Sequence, residues 1–230
     1  MVSPDKREAG EQEPLHPEGL TENQERVALL LFEIGAIKFG AFRLKLHEEN
    51  PEAPLSPYYV DLRVLPYHPQ ILKEVVGIYA QLAQKANPFD VCLGIPEAGN
   101  PLATAFALET NTPQIYLRKE AKVGHGIEGN FMTPFNPSEK VLVIDDLVTN
   151  AGSKLEIIPI LAEVGLQVSA FVVLVDREQG GVKQLAEAGY TIHAAYRFSQ
   201  LLDYYYRTGK IDGPTYWDCK AYFSGKPLIL

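Results

Sequence analysis

The chain has 230 residues, 46% hydrophobic and 22% charged, which is typical of one globular domain with a substantial core. Its formal net charge of −8 argues against broad binding to nucleic acids or anionic membrane surfaces, so local basic groups would have to bind any anionic substrate. Two cysteines, Cys92 and Cys219, provide neither a disulfide framework nor a metal-binding spacing. We find no apolar run of membrane-spanning length and no signal-peptide pattern, and therefore expect a cytoplasmic protein.

The N-terminal segment differs in composition from the rest of the chain. Residues 1–20 are rich in Glu, Pro and Gly, so we expect a disordered tail before a single domain over residues 21–230. The segment Thr21–Gln24 has the residues of a capping box. Apolar residues at helical spacing follow it, and they predict a helix that ends near Gly40.

Strand-like and helix-like segments then alternate. The predicted strands are 41–46, 58–62, 89–94, 114–117, 141–144, 167–175 and 190–196. The predicted helices are 69–86, 101–109, 155–164, 182–189, 198–207 and 214–223. Such alternation predicts βαβ units around a mostly parallel sheet, which is an α/β fold. Segment 118–139 has little apolar periodicity and several glycines, so we interpret it as a long mobile loop.

The stretch 141–154 has the strongest functional signal. Four aliphatic residues lead into Asp145 and Asp146, and a turn of small polar residues then opens into a helix. Turns of this kind at the carboxyl end of a parallel strand bind anions, so we expect N–H groups from Thr149 to Ser153 to point at a phosphate. The two carboxylates would repel a phosphate, but they suit the hydroxyls of an attached ribose. The alternative is a buried strand that ends in solvated acids.

This stretch resembles the phosphoribosyl-diphosphate (PRPP) motif of type I phosphoribosyltransferases: a hydrophobic strand, two acids, two aliphatics, Thr and a small turn. Further matches point to the orotate phosphoribosyltransferases, including the transferase half of uridine monophosphate synthase. The basic segment 117–126 is similar to their catalytic loop, 94–103 to their pyrophosphate loop, and 176–181 to a motif on the orotate side. These matches are in the same order along the chain and cover about residues 24–205.

The resemblance implies a type I phosphoribosyltransferase fold with a small N-terminal hood formed mainly by about residues 21–65. It implies that PRPP is bound by Arg118, Lys119, Lys122, His125, Asp145, Asp146, Leu147, Val148, Thr149, Asn150, Ala151, Gly152 and Ser153. It implies that orotate is bound by Lys45, Tyr58, Tyr59, Thr149 and Arg177. The catalytic residues would be Lys122, His125, Asp145 and Asp146.

The same resemblance implies Mg²⁺ as the cofactor, held mainly by PRPP and water with no set of protein ligands. It also implies a homodimer with shared active sites, because the catalytic loop in this family closes over the neighbouring subunit's site. The expected reaction transfers the phosphoribosyl group from PRPP to orotate, which gives orotidine 5′-monophosphate and pyrophosphate. The ribosyl cation that forms must be shielded from water, and a closing loop would do this.

Several positions depart from the family pattern. Residues 46–55 form a longer, acidic insertion, the catalytic loop has one extra residue, and Ala151 stands where the family usually has Gly. If that position required a positive φ, the alanine would be strained. Two alternatives therefore remain: a phosphoribosyltransferase for another nucleobase, and a non-catalytic sensor of PRPP or nucleotides. We expect no decarboxylase domain, because too few residues follow residue 205.

Overall fold

The computed structural model describes residues 19–44, 46–122 and 129–223. Most of the expected tail, Lys45 and His125 lie outside these ranges. No helix among the described residues is long and apolar enough to cross a membrane.

The elements follow one another largely as the sequence predicts. The helices are α1 (Glu22–Glu33), α2 (Leu46–Glu49), α3 (Pro69–Ala83), α4 (Gly99–Thr110), α5 (Gly152–Glu163), α6 (Gly181–Glu187), α7 (Phe198–Arg207) and α8 (Gly213–Phe223), with a 3₁₀ helix at Leu62–Tyr67. The strands are β1 (Ile37–Phe42), β2 (Ser56–Val60), β3 (Val91–Gly94), β4 (Gln114–Ile115), β5 (Leu117–Lys122), β6 (Gly129–Phe131), β7 (Lys140–Val148), β8 (Gln167–Asp176) and β9 (Ile192–Arg197). The capping box is present, since Thr21 and Gln24 cap the start of α1 reciprocally.

Five of these strands form one parallel sheet in the order β4-β3-β7-β8-β9. Helices α3 and α4 pack on one face, whereas α5 and α6 pack on the other. This arrangement confirms the predicted α/β fold. From β3 the chain first adds β4 on one side and later adds β7 on the other side. The direction in which strands are added therefore reverses between β3 and β7. Ligands bind at such a switch point, beyond the carboxyl ends of the strands.

The centre of the sheet explains the continuous apolar run in β7. Leu142 and Ile144 enter the core between the sheet and α3 and α4, while Val141 and Val143 enter the core on the opposite face. All four side chains are fully buried. Along this run both faces of the strand are covered by helices, so neither face carries polar residues there. Its sequence is therefore continuously hydrophobic instead of alternating.

The prediction that the first helix extends to about Gly40 is wrong. The helix ends at Glu33, and Gly35 then adopts a left-handed conformation with φ of 68° that a helix cannot continue. Ile37, which also fits the helical spacing, instead begins β1 and pairs with Val60 of the antiparallel strand β2. Together β1 and β2 form the two-stranded sheet of the hood.

The interpretation of 118–139 as one long mobile loop is also wrong in part, because some of its residues lie in strands. Strands β5 and β6 form a two-stranded antiparallel sheet in this segment, apart from the main sheet. Its connection to β4 is reinforced by a hydrogen bond from the N–H of Met132 to the carbonyl oxygen of Tyr116, 2.8 Å long. Backbone hydrogen bonds can pair two strands without alternating apolar side chains. The sequence of this segment therefore lacks the apolar periodicity by which strands are predicted.

Candidate active site

The switch point brings the ends of β3 and β7 together. Gly94, the last residue of β3, is paired with Ile144, directly before the acid pair. The turn after β3 leads into α4, whose first residue, Gly99, lies against the backbone of β7. A Cβ atom on Gly99 would stand 2.5 Å from the carbonyl oxygen of Ile144 and 3.3 Å from a carboxylate oxygen of Asp145. Only glycine permits this close approach, which places the N-terminus of α4 beside the acids.

The two acids have different surroundings. Asp145 is buried, with one carboxylate oxygen accepting a hydrogen bond from the N–H of Asp146 and the other forming an ion pair with the Lys154 ammonium. Asp146 is partly exposed and accepts a hydrogen bond from the N–H of Leu147 at 2.7 Å. Burial raises the pKa of the Asp146 carboxyl to about 7, and the negative charge of Asp145 acts in the same direction. Asp146 therefore changes its charge near neutral pH.

Two residues that the sequence analysis did not single out hold the acid pair in place. The hydroxyl of Tyr79, in α3, donates to the carbonyl oxygen of Asp145 at 2.8 Å. Lys154 donates to the Asp145 carboxylate and, at 2.6 Å, to the carbonyl oxygen of Leu147. A signal for Lys154 was present in the sequence, because it shares a helix face with the buried residues Ile157 and Leu161.

The expected phosphate turn joins β7 to α5 as the sequence predicts. Ala151 precedes the first residue of α5 with φ of −84°, so the alanine in place of the family's glycine is not strained. Thr149 is partly exposed, and Asn150 and Ser153 are exposed, so they are accessible to a ligand. Helix N-termini with accessible N–H groups attract phosphate, which agrees with the expected role.

Two N–H groups of this turn already donate to side-chain oxygens, and that of Gly152 donates to Asn150 at 3.3 Å. The N–H of Ala151 donates to the side-chain oxygen of Gln184 in α6, at 2.9 Å. The carbonyl oxygen of Thr149 accepts from the N–H of Gly181 at 2.9 Å. The expectation that all N–H groups from Thr149 to Ser153 face a phosphate is therefore wrong for Ala151, because α6 uses its N–H to fix the turn, and the Gly152 N–H has an acceptor within the turn itself. Gln184 lies 33 residues away, and no local pattern connects it with the turn.

Arg177 lies next to the same turn, at the end of β8. Its N–H donates to the carbonyl oxygen of Val148 at 2.9 Å, and its guanidinium carbon stands 5.1 Å from the centre of the Tyr58 ring. The Nε and Nη2 atoms of Arg177 and the hydroxyl of Tyr58 are buried and have no hydrogen-bond partner among the described residues. Unsatisfied buried donors are costly, so this cluster is suited to an incoming acceptor.

The two tyrosines predicted for the base site differ in accessibility. Tyr58 is fully buried, and its ring stacks on Phe198 with 3.9 Å between centroids. Its ring thus belongs to the core, and both the ring and the hydroxyl lie next to Arg177. Tyr59 is partly exposed, and its hydroxyl accepts from Arg63 at 3.1 Å. Neighbouring residues of a strand point to opposite faces, which explains why one of the pair packs in the core and the other does not.

The expected pyrophosphate-binding cations follow β4. Arg118, Lys119 and Lys122 all lie in β5, which continues from the end of β4. His125, and Lys45 of the hood, fall outside the described residues, and their predicted roles stay predictions.

Comparison with known proteins agrees with this architecture. The family model of the phosphoribosyl transferase domain matches residues 65–190. An orotate phosphoribosyltransferase of Sulfolobus acidocaldarius is 37% identical over 149 residues, which is 65% of this chain and 74% of that protein. A bifunctional PyrF/PyrE enzyme of Nostoc is 35% identical over 205 residues, 87% of this chain and 39% of the enzyme. The structure of Leishmania donovani UMP synthase has a TM-score of 0.77 and 33% identity, covering 88% of this chain and 42% of that one.

The sheet order, the acid pair and the turn before α5 are those of the type I phosphoribosyltransferase class. Within this class, the chain belongs to the orotate phosphoribosyltransferase family. It spans about two fifths of the length of the PyrF/PyrE enzyme and of the UMP synthase, 39% and 42%, and 74% of the Sulfolobus protein.

Proposed function

We propose that the protein transfers the phosphoribosyl group from PRPP to N1 of orotate, which yields orotidine 5′-monophosphate and pyrophosphate. The observation that carries the proposal is the position of Arg177. Two of its buried side-chain nitrogens have no hydrogen-bond partner in the part of the chain that the structure describes, and its backbone N–H is hydrogen-bonded to the end of β7, beside the expected PRPP site. A planar guanidinium is well suited to bind a carboxylate through two hydrogen bonds, and orotate carries one.

The described residues supply the other requirements of the reaction. The turn of Thr149 to Ser153 binds the 5-phosphate at the N-terminus of α5. Asp145 and Asp146 accept hydrogen bonds from the ribose hydroxyls, and their negative charge stabilises the positive charge that develops on the sugar as pyrophosphate leaves. Arg118, Lys119 and Lys122 neutralise the departing pyrophosphate. The names of the relatives favour orotate over another base, and no observation favours a sensor without turnover.

Mg²⁺ is part of the proposal. No group of three or more His, Cys, Asp or Glu side chains in the described part of the chain could hold a metal ion by itself. In this proposal the ion enters with PRPP, whose phosphate and hydroxyl oxygens are the hard ligands that Mg²⁺ prefers. The ion would supply positive charge to the leaving pyrophosphate. The proposal also includes a cytoplasmic location and a homodimer, in which the loop with Lys122 and His125 closes over the partner's site.

The direct test follows the loss of orotate absorbance after PRPP and Mg²⁺ are added. We expect turnover by the unaltered protein and a loss of about 10²–10³-fold in kcat for Lys122→Ala, since that change removes a cation from the leaving group. Pyrophosphate release with a different base, but none with orotate, would move the assignment to that base. Binding of PRPP without turnover of any base would identify a sensor.

Arg177→Ala tests the orotate assignment separately. We expect the KM for orotate to rise about a hundredfold with little change in the KM for PRPP, because two charge-assisted hydrogen bonds to the carboxylate are lost. Steady-state kinetics with each substrate varied in turn measures the two constants. Arg207→Ala is the matched control, since Arg207 pairs with Glu25 at an exposed position. An unchanged KM for orotate in Arg177→Ala would exclude the assigned role.

A further inference from the structure

Lys154 is a buried lysine beneath the candidate active site. It lies in the first turn of α5 with 3% of its side chain exposed, on the face that carries Ile157 and Leu161 into the core. Lysines are almost never fully buried unless they are paired, because an ammonium loses its hydration there. A residue of this type at an otherwise apolar helix position therefore has a partner that stabilises it.

Its partners lie on the strand side of the phosphate turn. The ammonium forms an ion pair with the Asp145 carboxylate and donates to the carbonyl oxygen of Leu147 at 2.6 Å. The lysine side chain thus runs from the start of the helix back to the end of the strand, and it connects the two ends of the turn. The second oxygen of the Asp145 carboxylate accepts from the N–H of Asp146 at 2.9 Å, so both oxygens of this carboxylate are held.

We propose, on the basis of the function proposed above, that Lys154 is a positioning residue for the phosphoribosyl transfer. It fixes the Asp145 carboxylate in one orientation, in which its remaining lone pairs accept from a ribose hydroxyl. Its positive charge favours the ionised form of Asp146, because it opposes the rise in pKa that burial and Asp145 cause. The same charge reduces the repulsion between the acid pair and the 5-phosphate bound by the neighbouring turn.

The surroundings of the acid pair leave this task to Lys154. From α3, Tyr79 donates its hydroxyl to the Asp145 carbonyl oxygen, and from α4 the backbone of Gly99 lies close to the Asp145 carboxylate. The neighbouring positions of β3 and β8 are Gly94 and the apolar Val173. Among the described residues, Lys154 is thus the cation that contacts the pair.

The test compares Lys154→Met, which removes the charge but keeps the length, with Lys154→Arg, which keeps the charge. The profile of kcat/KM against pH is measured with PRPP, Mg²⁺ and orotate. For Lys154→Met we expect the acidic limb to move up by about one pH unit or more, because the acids lose their cation. We also expect a fall of about tenfold or more in kcat/KM at neutral pH, mainly through the KM for PRPP, and partial recovery in alkaline buffer.

The controls separate positioning from general stability. Lys183→Met removes an exposed lysine that pairs with Glu187 across one turn of α6, and we expect the wild-type profile. Lys154→Arg is expected to keep the acidic limb at the wild-type pH, with a lower kcat. If Lys154→Met does not fold, Lys154→Gln takes its place, since it retains an uncharged N–H donor. An acidic limb that stays in place in the uncharged variant overturns the proposal.

A second measurement needs no turnover. Carbon-13 NMR titration of the Asp146 carboxyl group is expected to show protonation at a higher pH in the uncharged variant than in the wild type. If the wild-type protein does not convert orotate, the proposed function fails, and this titration still decides the role of Lys154. Identical titration curves in the two proteins would contradict the role even if the enzyme is active.

Discussion

Asp146→Asn is expected to lower kcat/KM by about 10²–10³-fold and to raise the stability of the folded protein above about pH 7. Activity falls because the neutral amide no longer stabilises positive charge on the ribose. Stability rises because a buried negative charge next to Asp145 is removed. Functional sites often contain such a group, whose ionised form is unfavourable in the fold but needed for the reaction.

The pKa of Asp146 determines at which pH the Asp146→Asn variant is more stable than the wild type. The pKa of Asp146 is about 7 in the folded protein, above the usual value of 3.8. Between these two values the folded state binds a proton that the unfolded chain has released, so its stability decreases as the pH rises through this window. At about pH 4 the variant should therefore match the wild type, and at about pH 8 it should be more stable by about 2 kcal/mol.

Denaturant unfolding at both pH values, together with the pH profile of kcat/KM, tests the prediction. The wild-type kcat/KM should increase with pH up to about 7 and then level, since the free enzyme needs Asp146 ionised. Asp218→Asn is the matched control at an exposed position of α8, and it should change neither quantity. Equal stability of Asp146→Asn and wild type at alkaline pH would show that the charge is not unfavourable in the fold.

Gly99→Ala is expected to lower both stability and activity, although it adds only one methyl group. The new Cβ would lie 2.5 Å from the Ile144 carbonyl oxygen, so that α4 and β7 must separate. Overpacking of this kind costs about 1–3 kcal/mol. Since Asp145 follows Ile144 directly, the acid pair would move with the strand, and a shift of about 1 Å can lower the rate about a hundredfold.

Gly77→Ala is the matched control, because Gly77 lies within α3 and a Cβ atom there meets nothing within 4 Å. Alanine favours the helix at this position, and we expect it to stabilise the protein by about 0.5–1 kcal/mol. Thermal unfolding and steady-state kinetics of the two variants measure both effects. Wild-type values for Gly99→Ala would show that α4 and β7 can adjust without moving the acids.

The sequence by itself determined the order of elements, the α/β class and the place of the acid pair and phosphate turn. These features are local: a strand covered on both faces appears as an apolar run, and α5 follows it directly in the chain. The match of 141–154 to the PRPP motif depends on adjacent residues, so no tertiary information was needed. The first helix and the 118–139 segment were misjudged because Ile37 fits two periodicities and because the β5–β6 ribbon is held by backbone pairing rather than by a repeating apolar pattern.

The tertiary structure decided which residues support the site. Tyr79, Lys154 and Gln184 contact the acids or the turn from helices that ordinary patterns describe only as amphipathic. Contacts over 33 or 66 residues leave no trace in local spacing. The same holds for Tyr58, whose ring only the folded hood places against Phe198. A motif of adjacent residues can be recognised in the sequence. Burial and long-range hydrogen bonds, in contrast, depend on how the helices pack on the sheet.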